Sequence, residues 1–314
     1  MSIEIRPLLW LGSLLLGCLG LGCGCGNADL HRPGTGPGGT ASTTTGPDGL
    51  EPHATNSSAA NKSPSTSPND SSANSRRLRV RVAAASDLRL VFPELQRGFQ
   101  AEHPQIDLEV AFGSSGSFFA QFTQQAPFDL FLSADLELPQ RLVDRGDALP
   151  ESQFEYARGS LVLWIGPGTE LPEGGEGVDL LKDPRVTRIA IANPEHAPYG
   201  KAALAVLKSW NIADEVAPRL VLADNVAQAL QFVDTGAASV GLVSASLARD
   251  PRLAGRGRGL PIPSDLHPPL RQGGVILKWA RDPEAARALR EFLVGPSGRD
   301  LLKEHGFQLP EPGP

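Results

Sequence analysis

Four short segments of this chain place small, hydroxyl or amide residues where a strand hands over to a helix. They are Ala83-Ala84-Ala85-Ser86-Asp87, Phe112-Gly113-Ser114-Ser115-Gly116, Asn193-Pro194-Glu195-His196-Ala197-Pro198-Tyr199-Gly200 and Asp224-Asn225-Val226. The first amides of a helix have no acceptor inside it, and the helix dipole is positive at that end. Hydroxyls and free amides converging from four such ends would hold an anion with neither lysine nor arginine. The chemistry to expect is oxyanion capture. Each segment also has a plainer reading. Ser86 and Ser115 are good helix caps, Pro198 suits a first helical turn, and Asp224 reads as an N-cap. A carboxylate at Asp224 or Asp87 would repel an anion, so neither is assigned a contact.

Other chemistries find less support. The loop at 113–117 is followed by no Gly-Lys-Ser/Thr and is not a phosphate-cradling loop. It does not read Gly-x-Ser-x-Gly either, so it is not a nucleophile elbow. His196 beside Glu195 suggests a metal or acid–base pair, against the simpler reading of an exposed loop histidine. A serine hydrolase using a loop serine with His196 or His267 has no recognisable base–orienter pair. Gly255-Arg256-Gly257-Arg258-Gly259 reads as a flexible surface turn. Cys18, Cys23 and Cys25 are the only cysteines, so the rest of the chain holds no disulfide framework or cysteine metal site. The formal net charge of −6, with no basic stripe, argues against a nucleic-acid partner.

The elements that must position these residues follow from periodicity. Strands are predicted at Leu78–Ala85, Ile106–Phe112, Phe128–Leu132, Ser160–Ile165, Arg188–Ala192, Arg219–Leu222, Ser239–Val243 and Val275–Trp279. Helical spacing runs through Leu88, Val91, Phe92, Leu95 and Phe99. Further helices are predicted at Ser117–Gln125, Leu136–Arg145, Pro198–Trp210, Val226–Thr235, Pro283–Val294 and Ser297–His305. Such alternation predicts an α/β fold with mostly parallel sheets, and the length of this body predicts two lobes. Pro93 conflicts with the first helical period, because inside a helix it removes a hydrogen bond and clashes.

The N-terminal stretch is different. Residues 7–22 form a short apolar run in the position of a secretory signal. Its Leu15-Leu16-Gly17-Cys18 resembles a bacterial lipoprotein signal, with Cys18 as the lipidated residue. The alternatives are Cys23, or an ordinary signal peptide cut before Asn27. Residues 1–25 are thus read as a signal region. Residues 26–77, rich in Ser, Thr, Pro and Gly, are expected to form a disordered tether.

The order and wording of the segments in the body resemble the molybdate-binding proteins of ABC importers, within the type II periplasmic binding-protein architecture. The matching stretches are Val82–Ser86, Phe112–Ser117, Pro127–Asp135, Gly159–Leu163, Ala192–Gly200, Gly241–Val243, Gly295–Gly298 and His305–Phe307. The resemblance covers about residues 78–309. It implies a two-lobed fold, each lobe a mostly parallel sheet flanked by helices, with the ligand in the cleft between them. Lobe one is expected at 78–160 plus 262–314, and lobe two at 161–261. The implied oxyanion contacts are the hydroxyls of Ser86 and Ser115 and the main-chain amides of Tyr199 and Val226. Ser244 stands where many relatives carry a tyrosine that makes a fifth contact. The implied ligand is molybdate or tungstate, with sulfate or thiosulfate as alternatives. The resemblance further implies a monomeric binding protein without enzymatic activity or cofactor. It would be extracytoplasmic, lipid-anchored to a bacterial membrane and partnered by the permease subunits of an ABC importer.

Overall fold

The computed structural model describes residues 77–172 and 174–311. The signal region 1–25 with Cys18, and the tether apart from its last residue, lie outside the described residues. In chain order the strands are β1 (Leu78–Ala85), β2 (Ile106–Gly113), β3 (Leu130–Ser133), β4 (Phe154–Gly159), β5 (Leu161–Ile165), β6 (Ile189–Ala192), β7 (Leu220–Ala223), β8 (Val240–Ser244), β9 (Arg258–Pro261) and β10 (Leu270–Ile276). The helices are α1 (Phe92–Glu102), α2 (Ser115–Phe122), α3 (Glu137–Asp144), α4 (Gly177–Lys182), α5 (Pro198–Ser209), α6 (Ala213–Val216), α7 (Val226–Asp234), α8 (Pro283–Val294) and α9 (Pro296–Glu304).

The strands form two five-stranded sheets, ordered β2-β1-β3-β10-β4 and β7-β6-β8-β5-β9. In the first, β1 runs parallel to β2 and β3, while β10 pairs antiparallel with β3 and β4. In the second, β6 runs parallel to β7 and β8, while β5 pairs antiparallel with β8 and β9. The two sheets therefore share one plan, each with a parallel half and an antiparallel edge. The chain passes from the first sheet to the second at Ser160, and returns between Pro261 and Leu270. This is the two-lobed binding-protein fold.

Helices cover the sheets, so the central strands are apolar on both faces. In lobe one, Val82, Leu95, Phe99, Leu130 and Phe292 pack on one side of the sheet, and Phe118, Phe122, Phe131 and Leu142 on the other. In lobe two, Leu163, Ile189, Val206, Leu207, Val240 and Leu242 form one continuous core. Each fully buried side chain of this size contributes roughly 1.5–3 kcal/mol. A buried ion pair pins the base of β1. The Asp129 carboxylate accepts from the Arg81 amide (2.7 Å), from Arg81 Nη2 (3.0 Å) and from the Arg281 amide (2.9 Å). Burial works to raise the pKa of Asp129, but these hydrogen bonds and the Arg81 charge outweigh it and hold the group below the ordinary value.

Several elements differ from expectation. Pro93 is accommodated because a 3-10 turn occupies Ser86–Arg89 and α1 begins only at Phe92, which puts Pro93 in the first turn where no intrahelical donor is needed. The last strand of lobe one lies earlier than Val275–Trp279. Trp279 leaves the ladder, and its indole donates to the Ala126 carbonyl (3.0 Å). β4 is an additional strand, with Phe154 and Tyr156 buried alternately. The Gly255–Gly259 stretch is only in part a turn. Arg258 and Gly259 open β9, which completes the ladder along β5, and the Arg258 guanidinium donates to the carbonyls of Leu171 and Pro172.

Candidate functional site

Ser86, Ser115, Tyr199 and Val226, which lie far apart in the chain, line one cleft together with Asp87 and Ser114. Its two walls come from different lobes. Ser86 opens the 3-10 turn after β1, and Ser115 is the first residue of α2 after β2. Tyr199 is the second residue of α5, and Val226 the first of α7. The parallel halves of both sheets put their strand C-termini at this cleft, so each connection delivers a helix start to it.

The two serine hydroxyls are poised as donors. Ser115 Oγ accepts from the Ala134 amide (3.0 Å), and Ser86 Oγ accepts from the Ala227 amide of the opposite lobe (3.4 Å). Their acceptor sides are thus engaged, and among the described residues neither hydroxyl donates to a protein acceptor. Ser114 differs. Its Oγ caps α2 by accepting from the Ser117 amide (3.2 Å) and donates to the His196 carbonyl (3.0 Å). Of the two adjacent serines, only Ser115 keeps its proton for the cleft.

The helix-start amides divide in the same way. At α2 the second amide, Gly116, donates to the His196 carbonyl (2.8 Å), and the third goes to the Ser114 cap. At α7 the Asn225 side chain accepts from the Ala227 and Gln228 amides (both 3.1 Å). What remains is the first amide of each helix, Ser115 and Val226. In α5 the Tyr199 amide follows Pro198 and meets no side-chain cap. These three amides have no acceptor within their helices, and none in the protein among the described residues. The side-chain caps complete the starts of α2 and α7 and leave one free amide at each.

The walls also touch directly. The His196 carbonyl of lobe two is clasped by the Gly116 amide and Ser114 Oγ of lobe one. A Cβ at Gly116 would overlap that carbonyl. Deeper in, Ser246 Oγ donates to the Asp87 carbonyl (3.0 Å). The space left between the walls is small, about 10 Å³. A larger groove of about 920 Å³ runs along the hinge side past Arg158, Arg249 and Lys303, but no helix start opens onto it.

Behind the cleft lies a buried polar network that the sequence reading did not anticipate. Asp87 Oδ2 accepts from the Tyr199 hydroxyl (3.0 Å) and from Gln272 Nε2, while Oδ1 has no partner. Burial pushes the Asp87 carboxyl up to about 6, against the lowering effect of those two hydrogen bonds and of the Asp87 and Leu88 amides. Burial, reinforced by the Asp87 charge, holds the Tyr199 phenol well above its ordinary range. Ser244 belongs to this network and not to the cleft lining. Its hydroxyl lies 2.6 Å from Ser246 Oγ and 3.3 Å from the Tyr199 hydroxyl, and it is fully buried. A serine at the end of β8 is too short to reach past Tyr199. The signal that could have revealed Gln272 is the period of β10, which puts it on the buried face with Leu270 and Gly274.

The histidines take no part. His196 presents only its carbonyl, its ring being exposed beside Glu195 (3.7 Å). His267 Nδ1 lies 2.8 Å from the Pro268 carbonyl. Neither ring lines the cleft, so no histidine stands beside Ser86 or Ser115.

Residues 80–308 match the model of a family described as bacterial extracellular solute-binding protein. The chain is 37% identical over 234 residues to a molybdate-binding protein of Azotobacter vinelandii, covering 73% of this chain and 90% of that one. It is 38% identical over 199 residues to a molybdate-binding protein of Rhodobacter capsulatus, covering 63% and 75%. The solved periplasmic molybdate-binding protein of Azotobacter vinelandii superposes with a TM-score of 0.68 at 31% identity, covering 74% of this chain and all of that one.

Proposed function

The chain belongs to the bacterial extracellular solute-binding proteins, and from that premise we propose that it captures molybdate, and also tungstate, outside the cytoplasm and delivers it to the permease of an ABC importer. The observation that carries this reading is the donor set of the cleft. Two serine hydroxyls with satisfied acceptor sides and three uncapped helix-start amides face one another, and among the described residues no cluster of three or more metal-ligating side chains forms. Donors of this kind suit an ion whose every oxygen is an acceptor. Each hydrogen bond to a charged oxygen is worth about 1.5–3 kcal/mol net. Burial strengthens such bonds provided that all of them are made.

In this reading Ser86 and Ser115 donate through their hydroxyls, and Ser115, Tyr199 and Val226 through their amides. Ser244 acts behind Tyr199 instead of touching the anion. The narrow space between the walls requires lobe one (78–160 plus 262–314) and lobe two (161–261) to part for entry, with the hinge at the two crossings. Molybdate, tungstate and sulfate share charge and shape, so the width of the closed cleft must separate them. Lipidation at Cys18 would keep a monomer tethered at the membrane that holds its permease, since two or more acyl chains anchor stably. No helix among the described residues is long and apolar enough to cross a membrane.

Calorimetric titration with molybdate, tungstate, sulfate and phosphate tests the ligand. Tight molybdate and tungstate binding with weak sulfate binding is expected, and sulfate binding as tightly as molybdate would sink the assignment. Fractionation of cells carrying the natural chain or Cys18→Ala tests the anchor, and equal membrane retention of both would exclude Cys18.

A further inference from the structure

A carboxyl group stands directly behind a cleft built from donors. Asp87 follows Ser86 directly, lines the same cleft and is almost completely buried. Its two oxygens are unequal. Oδ2 accepts from the Tyr199 hydroxyl and from Gln272, whereas Oδ1 is buried without any partner. If the group is ionised, a dianion entering the cleft meets a second negative charge in a medium that screens poorly. A like charge sharing such a site disfavours the ionised form of a carboxyl and raises its pKa.

Among the described residues no cation contributes to the shift of Asp87. The titratable groups that act on Asp87 are the phenols of Tyr199 on α5 and Tyr156 on β4. Charged side chains on the other neighbouring elements are engaged elsewhere. Arg89, on the same 3-10 turn, lies over the Phe112 ring at 5.4 Å. On α1, Glu94 meets His305 at 3.2 Å, and on β2, Glu109 meets Arg79 at 2.9 Å. On α7, Asp234 pairs with Arg256 at 2.9 Å. On β10, Arg271 pairs with Glu155. Arg249, after β8, reaches the Glu304 carbonyl at 3.5 Å.

We propose that Asp87 couples anion capture to proton uptake: the dianion binds together with one proton from solvent, which is held on Asp87 Oδ1. The inference rests on the oxyanion reading of this cleft. With Oδ2 already serving two donors, Oδ1 is where the proton goes. The resulting neutral acid removes the repulsion and converts the orphaned acceptor into a donor. Because burial, set against its hydrogen bonds, already brings this carboxyl to about 6, a nearby dianion raises it further, into the neutral range and above.

The sign of the linkage follows. Below the free-state value the proton is already in place, and affinity does not depend on pH. Above it, binding must take up the proton, so affinity falls as pH rises, by up to about tenfold per pH unit, until the bound-state value is passed.

Calorimetric titration of the purified protein with sodium molybdate, at about pH 6.5, 7.5 and 8.5 and in two buffers of different ionisation heat, reads this directly. The expected result is uptake of close to one proton at the middle pH and a Kd that rises roughly tenfold per unit. Asp87→Asn, which carries its donor permanently, should bind with a flat pH profile, take up no proton and surpass the unaltered protein at the highest pH. Molybdate binding with no proton uptake and a flat profile in the unaltered protein would overturn the proposal, even if the variant did not fold. So would an Asp87→Asn protein that kept the slope. Failure of the underlying oxyanion reading looks different, with no binding heat for any oxyanion at any pH.

Discussion

The two walls of the cleft supply different kinds of donor. Lobe one offers the hydroxyls of Ser86 and Ser115 besides the Ser115 amide, whereas lobe two offers only the main-chain amides of Tyr199 and Val226. The difference decides how each wall can be changed. A hydroxyl is removed by one substitution that leaves the backbone in place. An amide cannot be deleted, only moved, and moving it means shifting a helix start that is packed against the sheet. On the proposed function, lobe one thus sets the strength of individual contacts, while lobe two sets the frame against which the anion is gauged.

The severest way to break this comparison is to shift the frame. Gly200 sits where a Cβ would overlap the Ala192 carbonyl and lie 2.8 Å from the Asn193 carbonyl carbon. Both are backbone and cannot turn aside. Gly200→Ala should lower stability by about 1–3 kcal/mol. By displacing the Tyr199 amide it should also weaken molybdate binding beyond about a hundredfold, more than any serine change. Thermal melts with calorimetry would show both effects, and unaltered affinity would remove Tyr199 from the site.

Next come the hydroxyls. Ser86→Ala and Ser115→Ala should each weaken binding by about ten- to a hundredfold, the equivalent of roughly 1.5–3 kcal/mol. Their effects on folding should differ. Ser115 Oγ is the acceptor for the buried Ala134 amide, which the change would strand at a cost of about 1–3 kcal/mol. The Ala227 amide facing Ser86 is also held by Asn225, so Ser86→Ala should melt almost as the unaltered protein does. Equal losses of stability in the two variants would contradict these hydrogen-bond assignments.

The smallest effect is expected from Ser244→Ala. It removes a 3.3 Å contact behind Tyr199 and should cost less than about tenfold in affinity. A larger loss than at Ser86 or Ser115 would mean that the cleft extends to β8.

How legible the site was depended on the same division. Ser86 and Ser115 could be found because hydroxyl residues at strand-to-helix junctions are visible as residue types. Val226 and Tyr199 could be placed only through the family resemblance, since an amide carries no residue identity. That Ser115 and not Ser114 keeps its proton was not readable. It depends on the His196 carbonyl, which reaches Ser114 from 82 residues away. The Asp87–Gln272 pairing spans 185 residues and joins the start of lobe one to its last strand, so no local pattern signals it. The fold was clearer, because strands buried on both faces and helices with one apolar stripe declare themselves locally. What escaped were short or edge elements, β4 and β9, whose pairing is decided by strands distant in sequence.

The clasp on the His196 carbonyl has a consequence in time as well as in space. Its two hydrogen bonds, from Gly116 and Ser114, exist only while the lobes are shut, and neither uses one of the donors assigned to the anion. They therefore lengthen the shut state by the same factor for any captive. On the proposed function, discrimination between anions rests with the width of the closed cleft, while the dwell time before release is set at the rim. A change at Gly116 should alter how long an ion is held without altering which ion is chosen.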